Sequence, residues 1–388
     1  MKLNLARRTK VIEETKIEES LKIVEENPDI ISLGAGEPDF PAPKNVIKSA
    51  EKFLERGYTH YSPPQGRHEL REEVVKKLKK DNKINVNPEN IIITCGSKEA
   101  LMLSVMTTVN PGEQVVIQDP GYVGYRPIVE VFGGVAKSLP LKEDDRFEIH
   151  PEMLKKIITK KTKLLIINTP SNPTGTVFSK KTLEEIADIA VENNLTVLSD
   201  EAYEKLIYDN EKHISIASLK GMEDRVITTQ SFSKSYAMCG FRIGYAVANK
   251  RIIKEMKEFK LCTTLAAPTF GQLAAIEALR NSSEYVHHMV KEYDRRRKMI
   301  VKRLNGITNF SCITPKGAFY AFPNIKQFKM SSDKLSDILL EKAKVITVPG
   351  TEFGKYGEGY LRLSYATAYE KIETAMDRIE RCVAKLFK

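Results

Sequence analysis

The chain has 388 residues, 41% hydrophobic and 29% charged, and its 61 Lys and Arg outweigh 51 Asp and Glu for a net charge of +10. These proportions exclude a disordered chain and suit one large domain with a smaller companion. The basic residues are interleaved with Glu, and the densest run, DRRRK from Asp294 to Lys298, lies inside a helical pattern. That speaks against nucleic acid and for a solvated surface meeting small anions.

In chain order, the opening MKLNLARRTKVIEETK has no apolar stretch suited to a signal peptide, and no segment reaches the roughly 18 apolar residues of a membrane span. A first helix is predicted from about Lys10 to Glu26. It is too isolated to pack alone and is expected to join the C-terminal part of the chain. Short β-branched runs follow at Ile91 to Thr94, Gln114 to Gln118, Lys163 to Asn168, Leu195 to Asp200 and Arg225 to Gln230. Helical patterns separate them, such as SKKTLEEIADIAVENN with Ser179 as N-cap. Alternation of this kind predicts an α/β fold with a mostly parallel central sheet covered on both faces. The tail changes character, with a helix from about Glu284 to Leu304, short strands in AFYAF, KVITVP and YLRLSYA, and a last helix from about Tyr369 to Leu386. The expected division is a large domain at 45–289 and a smaller α+β domain built from both chain ends, 1–44 and 290–388. Five cysteines, odd in number and never arranged C-x-x-C, argue against a disulfide framework or a metal site and for a reducing cytoplasm.

Ligands of open parallel sheets bind beyond the carboxyl ends of the strands, so the residues that follow each run carry the functional question. Gly96 and Ser97 open a helix and offer free N–H groups to a phosphate, although Ser97 serving as a plain N-cap is the ordinary alternative. Asp200 ends a strand that reads as buried on both faces, where a carboxylate needs a cation or an N–H partner. Lys234 follows a buried strand among small and hydroxyl residues, in SFSKSYAMCGFRIGY, and a lysine held there can lose its proton and attack a carbonyl. Ser231 and Arg242 flank it and suit an anion. A lysine for an aldehyde, an acid for a ring nitrogen, a tyrosine for a phenolic oxygen and a helix start for a phosphate match the needs of pyridoxal 5′-phosphate.

Taken with LGAGEPDFPAP, YSPPQGRHELRE, CGSKEAL, DPGYVGY, NTPSNPTG, SDEAYEKLIY and PGTEFGKYGEGYLRLSYA, in that order over nearly the whole chain, these residues resemble the class I aminotransferases of the aspartate aminotransferase fold. The resemblance implies that Lys234 carries the cofactor and moves the substrate Cα proton. It implies that Asp200 pairs with the pyridine nitrogen, that Tyr203 and Asn172 hold the phenolic oxygen, and that Tyr122 stacks on the ring. Gly96, Ser97, Lys98, Ser231 and Arg242 would form the phosphate cup, joined by Tyr61 from the partner subunit of a homodimer. Arg362, with Gly36 and Asn172 nearby, would receive the substrate carboxylate. The chain departs from the commoner pattern at Cys239, where threonine is frequent, and at Phe241, where tryptophan is frequent. These departures bear on substrate fit and not on the chemistry.

GAGEPDF lacks the third glycine and helix of a dinucleotide fingerprint, and FGKYGEGY lacks P-loop spacing. A DNA-binding regulator built on such a domain would need a helix-turn-helix module, which the stretch before LGAGEPDF is too short to supply. A C–S lyase on the same fold is the competing chemistry, separable because only a transaminase requires a 2-oxo acid acceptor. KEYDRRRK, PKGAFYAFP and SYATAYEKIE resemble archaeal aromatic aminotransferases. Resemblance to bacterial aspartate-type members implies a lysine eight positions beyond Lys98 for an acidic donor, and Met106 stands there instead. With Phe319 and Tyr320 expected as an apolar wall, the reading favours an apolar or aromatic amino donor and 2-oxoglutarate as acceptor. An aspartate-type enzyme is the alternative, in which Arg7, Arg8 or Lys16 would supply the distal cation.

Overall fold

A computed structural model describes residues 5–12 and 15–386. Twelve strands occur among them: β1 Ile31–Ser32, β2 Ile91–Thr94, β3 Gln114–Asp119, β4 Val135–Pro140, β5 Thr162–Asn168, β6 Thr196–Asp200, β7 Val226–Ser231, β8 Gly244–Val247, β9 Tyr320–Ala321, β10 Val345–Ile346, β11 Val348–Pro349 and β12 Leu361–Ser364. The five apolar runs all enter one seven-stranded sheet of order β2-β8-β7-β6-β5-β3-β4. From β4 to β7 the strands are parallel, and only β8 runs against its neighbours β2 and β7. The twelve residues between β7 and β8 hold only the one-turn helix Phe232–Ser235 and a 3-10 turn, with no crossover helix to carry the chain back across the sheet, and β8 returns antiparallel to β7.

Side chains of one strand alternate between faces. Val116, Leu165 and Val197 therefore pack against Leu183, Ile186 and Ala190 of the helix Lys180–Glu192, while Val115, Leu164 and Leu198 pack with Leu101 and Leu103 on the other side. Each buried Leu or Val there contributes roughly 1.5–3 kcal/mol. Two strands of this sheet were not foreseen. β4 reads VAKSLP and is half exposed at the edge, so its polar alternation hides it, and β8 lies inside the glycine-containing stretch after Lys234.

A second core gathers Leu33, Tyr293 and Ile300 of the helix Ser283–Gly306, Phe319, Tyr320 and Leu363, and Ile372, Met376 and Ile379 of the helix Tyr369–Leu386. The early and late parts of the chain meet there, since β1 pairs in parallel with β10, Ile31 opposite Val345. The predicted single strand KVITVP divides between two sheets: β10 joins β1, and β11 joins the antiparallel set β11-β12-β9.

The first helix begins at Lys16 and not near Lys10. Thr15 accepts from the Glu18 N–H and the Glu18 carboxylate accepts from the Thr15 N–H, a reciprocal cap that fixes the start. Arg7–Val11 forms a separate 3-10 turn, and residues 13 and 14 lie outside the described residues. The helix Lys16–Glu26 joins the C-terminal part as expected, with the Lys16 Nζ 2.6 Å from Asp337. Among the described residues no helix is long and apolar enough to cross a membrane.

Candidate active site

Beyond the carboxyl ends of β5, β6 and β7 lies a cavity of about 610 Å³. Gly36, Ser97, Lys98, Tyr122, Asn172, Asp200, Tyr203, Ser231, Lys234, Arg242 and Arg362 all line it. Eleven residues read from strand ends and motifs thus converge although more than 300 positions separate the first from the last. Tyr61 does not. It is 86% exposed in its own chain and no part of the cavity wall.

The helix Ser97–Thr108 points its N-terminus into the cavity. Its N-cap is Gly96, at φ 76°, and not Ser97, so the ordinary reading of Ser97 as a cap fails and its hydroxyl is left facing the cavity. A Cβ on Gly96 would sit 2.6 Å from an Arg242 Nη2, and a Cβ on Gly244 would sit 2.6 Å from the Ser97 nitrogen. Only glycine allows this approach of loop, strand and guanidinium. Arg242 is held by the Cys239 carbonyl at 2.7 Å and the Cys95 carbonyl at 3.3 Å. Below the helix start the Glu99 carboxylate accepts from the Cys95 N–H at 2.5 Å and from the fully buried Lys260 at 2.9 Å, which fixes the loop carrying Gly96. The result is an anion seat at the positive end of a helix dipole.

Three charged groups, the buried Asp200 and Arg362 and the half-buried Lys234, face the same space without ion-pair partners among the described residues. Asp200 accepts from the Tyr125 hydroxyl at 2.8 Å and from the Ala202 N–H at 3.2 Å, yet burial pushes its carboxyl up to about 6. Lys234 donates to the Gly36 carbonyl at 2.5 Å, and burial lowers its ammonium from the usual lysine range. Arg362 is 1% exposed, with Nη1 on the Asn172 side-chain oxygen at 3.2 Å and Nη2 on the Gly34 carbonyl at 2.6 Å. Its Nε has no hydrogen-bond partner among the described residues, and the guanidinium lies over the Tyr320 ring at 4.6 Å. Several other buried charges are paired, Arg297 with Asp209 and Asp294, and Lys260 with Glu99. A buried cation without a counter-ion is costly unless a ligand completes it.

The remaining walls orient these groups. The Tyr203 and Tyr320 hydroxyls are 2.8 Å apart, and burial raises both phenols above the ordinary value. The Asn172 N–H donates to Asn168, whose own amide donates to the Asp200 carbonyl at 2.9 Å and ties the ends of β5 and β6. Tyr122 packs edge-on against Tyr125 at 5.3 Å, with its phenol raised to about 12 by burial. The Ser231 hydroxyl accepts from the Ser233 N–H at 3.1 Å.

Three expectations about the outer cavity are corrected. Met106 is not on the wall; Met102, one helical turn beyond Lys98, is, together with Leu101. Met106 lies a further turn along and packs against the core beneath the sheet. Phe319 is fully buried between Tyr203 and Tyr293, so only Tyr320 of that pair reaches the cavity. Lys16 is tied to Asp337, and neither Arg7 nor Arg8 lines the wall. Unforeseen wall residues are Val123, Pro127, Ile128 and Phe132 around the helix Tyr125–Val131, and Ile12 and Glu18. Their helical spacing was visible in the sequence, but nothing there indicated which core they faced.

The sequence pattern of the aminotransferases of class I and II matches residues 28–379. The chain is 49% identical over 356 residues to an aspartate aminotransferase of Pyrococcus abyssi, covering 91% of each chain. It is 44% identical over 380 residues to aromatic-amino-acid aminotransferase 2 of Thermococcus litoralis, covering 97% of each. The crystal structure of an aromatic aminotransferase from Pyrococcus horikoshii superposes with a TM-score of 0.91 at 46% identity, over 96% of this chain and 99% of that one. The chain belongs to the class I and II aminotransferases.

Proposed function

We propose that this aminotransferase uses pyridoxal 5′-phosphate to move the amino group of an L-amino acid with an apolar or aromatic side chain to a 2-oxo acid such as 2-oxoglutarate, as a cytoplasmic homodimer with shared sites. The observation that carries the reading is Arg362, a buried guanidinium that has, among the described residues, no counter-ion and no partner for its Nε, at the wall of the cavity that Lys234 also lines. A planar fork suits the carboxylate common to amino and 2-oxo acids.

The residues present fit the cofactor. Gly96, Ser97, Lys98, Ser231 and Arg242 would hold its phosphate, where a Cβ on Gly96 would fill the cradle. Asp200 would meet the pyridine nitrogen, Tyr203 and Asn172 the phenolic oxygen, and Tyr122 the ring face. When bound, the cofactor supplies an electron-accepting ring for the charge released at the substrate Cα. Burial enlarges the neutral fraction of Lys234, the form that attaches to an aldehyde and accepts the Cα proton. Arg362 and Asn172 hold the carboxylate so that the Cα–H bond faces that amine. Tyr61 is expected to reach the partner's phosphate, which accounts for a tyrosine 86% exposed in one chain. The division into 45–289 and 1–44 with 290–388 is part of the same proposal, supported by the separate core around Tyr293 and Phe319.

The donor preference rests on the outer wall. Leu101, Met102, Val123, Ile128 and Phe132 offer apolar contact, and the Glu18 carboxylate on the same wall opposes a distal carboxylate. Burying an unpaired carboxylate there costs several kcal/mol, whereas an aromatic ring gains roughly 2 kcal/mol. Lys98, exposed at the wall, favours the aspartate-type alternative. A panel of amino donors with 2-oxoglutarate separates the two: phenylalanine or tyrosine should exceed aspartate in kcat/KM, and a tenfold preference for aspartate overturns the donor reading. Borohydride reduction of the loaded protein should fix the cofactor on Lys234 by mass mapping. An adduct on Lys98 or Lys205 sinks the site assignment.

A further inference from the structure

We propose that Tyr125 is a positioning residue that keeps the Asp200 carboxylate ionised and aimed at the cofactor's ring nitrogen through its hydroxyl bond to Oδ2. The inference rests on the cofactor reading above and goes beyond it, because Tyr125 does not line the cavity and reaches the cofactor seat only through Asp200 and Tyr122.

Tyr125 opens the helix Tyr125–Val131, with its N–H on the Tyr122 carbonyl at 3.1 Å and its ring 1% exposed. That places the hydroxyl 2.8 Å from Asp200 Oδ2, while the Ala202 N–H takes Oδ1 at 3.2 Å. Each oxygen thus has one protein donor and retains a free lone pair. Around the carboxylate stand Glu201 from its own strand end, Lys234 from the segment after β7, and the phenols of Tyr122 and Tyr203. Of these only Lys234 favours the anion electrostatically, and Glu201 opposes it. Burial pushes the carboxyl up, and the Tyr125 hydroxyl is foremost among the groups that bring it down. The Tyr125 phenol itself is held well above its ordinary value, so it remains a donor at every working pH. A protonated Asp200 could not pair with a ring N–H. Without Tyr125 that loss sets in at higher pH.

The test is the dissociation constant of pyridoxal 5′-phosphate from the apoenzyme across pH 5–9, for wild type, Tyr125→Phe and Asp200→Asn. The ratio of Tyr125→Phe to wild type should stay within about twofold at pH 9 and rise toward about tenfold near pH 5, as a carboxyl pKa raised by about one unit requires. A ratio that is raised but flat with pH means a merely structural role and overturns the proposal, as does a ratio of one throughout. Infrared titration of the apoenzyme gives a reading without cofactor: the protonated-carboxyl band, assigned by its absence in Asp200→Asn, should appear at higher pH in Tyr125→Phe. Fluorotyrosine at position 125, a stronger donor that preserves the ring, should move it the other way. If Asp200→Asn binds the cofactor like wild type at every pH, the cofactor reading itself fails; if it weakens while Tyr125→Phe does not, only this inference does.

Discussion

Asp200 and Glu201 are consecutive, both buried, and served in opposite ways. Glu201 is fully buried and accepts from Ser199 at 3.0 Å, Ser215 at 2.6 Å, His213 at 2.9 Å, Gln230 at 3.2 Å and Asn82 at 3.4 Å. Next to it Lys77 pairs with Glu204, where burial pushes the acid up but the attraction of Lys77, Lys205 and His213 outweighs it and holds the group at about 2. Asp200 has two hydrogen-bond donors, no ion-pair partner among the described residues, Lys234 only nearby, and a cavity in front of it. Glu201, Glu204 and His213 lie close enough together to suggest a metal site. The Lys77 ammonium already supplies the positive charge, and the donors around Glu201 leave it little unmet demand. The satisfied carboxylate fastens the ends of β6 and β7, and the deprived one is left for a ligand. Buried charge without a partner marks the reactive side of the sheet.

Exchanging the two carboxylates for amides gives the largest expected contrast. Asp200→Asn should lower kcat/KM by about 10³-fold or more through loss of an electrostatic partner in a dry site, while leaving the apoenzyme as stable as wild type or more so. Glu201→Gln should do the reverse, costing about 3–5 kcal/mol in chemical unfolding because an acceptor becomes a donor facing donors, with kcat per folded molecule nearly unchanged. Equal effects of both on activity and stability would erase the distinction.

The reactive side was largely legible in the sequence because its residues directly follow apolar runs, as Asp200 follows TVLS and Lys234 follows the run ending at Ser231. The fastening side was not. Lys77 and Gln230 are 153 positions apart and Tyr125 and Asp200 are 75 apart, and hydrogen bonds between side chains so distant leave no local pattern. Apolar spacing continues through Val11 and Ile12 and extends the helical pattern N-terminal of the true start, while the Thr15 cap that sets that start is a single residue. Met106 shows a related limit of pattern: helical spacing gives the face of a helix, but not how far along it a cavity extends.

Arg362 extends the contrast to cations, since Arg297 has two carboxylate partners and Arg362 has none among the described residues. Arg362→Lys should lower kcat/KM for both amino and oxo acid by about 2–4 kcal/mol, a point charge being unable to form two parallel bonds, with cofactor absorbance retained. Unchanged kinetics would assign the substrate carboxylate to another group.

The raised Asp200 carboxyl makes apoenzyme stability depend on pH. A folded pKa of about 6 against an ordinary 3.8 means that the folded chain binds the proton more tightly. The contribution is therefore fully present below about 4 and is lost as pH rises through about 6, for a change of about 2–3 kcal/mol. Subtracting the pH–stability curve of Asp200→Asn from that of wild type should isolate this fall. A flat difference would mean that solvent reaches the carboxylate in the apoenzyme.

The smallest effect concerns the outer wall, where Met102 lines the cavity and Met106 packs into the core one turn further along. Both are flexible apolar side chains on the helix Ser97–Thr108, so truncating each to alanine separates contact with a donor from support of the fold. Met102→Ala should cost phenylalanine about 1 kcal/mol in kcat/KM, roughly fivefold, through lost apolar contact, and leave aspartate nearly unaffected because its short side chain gains little from that wall. Met106→Ala should cost about 1–2 kcal/mol of stability and leave the ratio of the two donors unchanged. Measuring the phenylalanine-to-aspartate ratio in both variants removes any common effect on cofactor loading. A ratio that moves only in Met106→Ala would restore the position eight residues beyond Lys98 as the contact with the donor and place the side-chain pocket deeper along the helix than the cavity now extends.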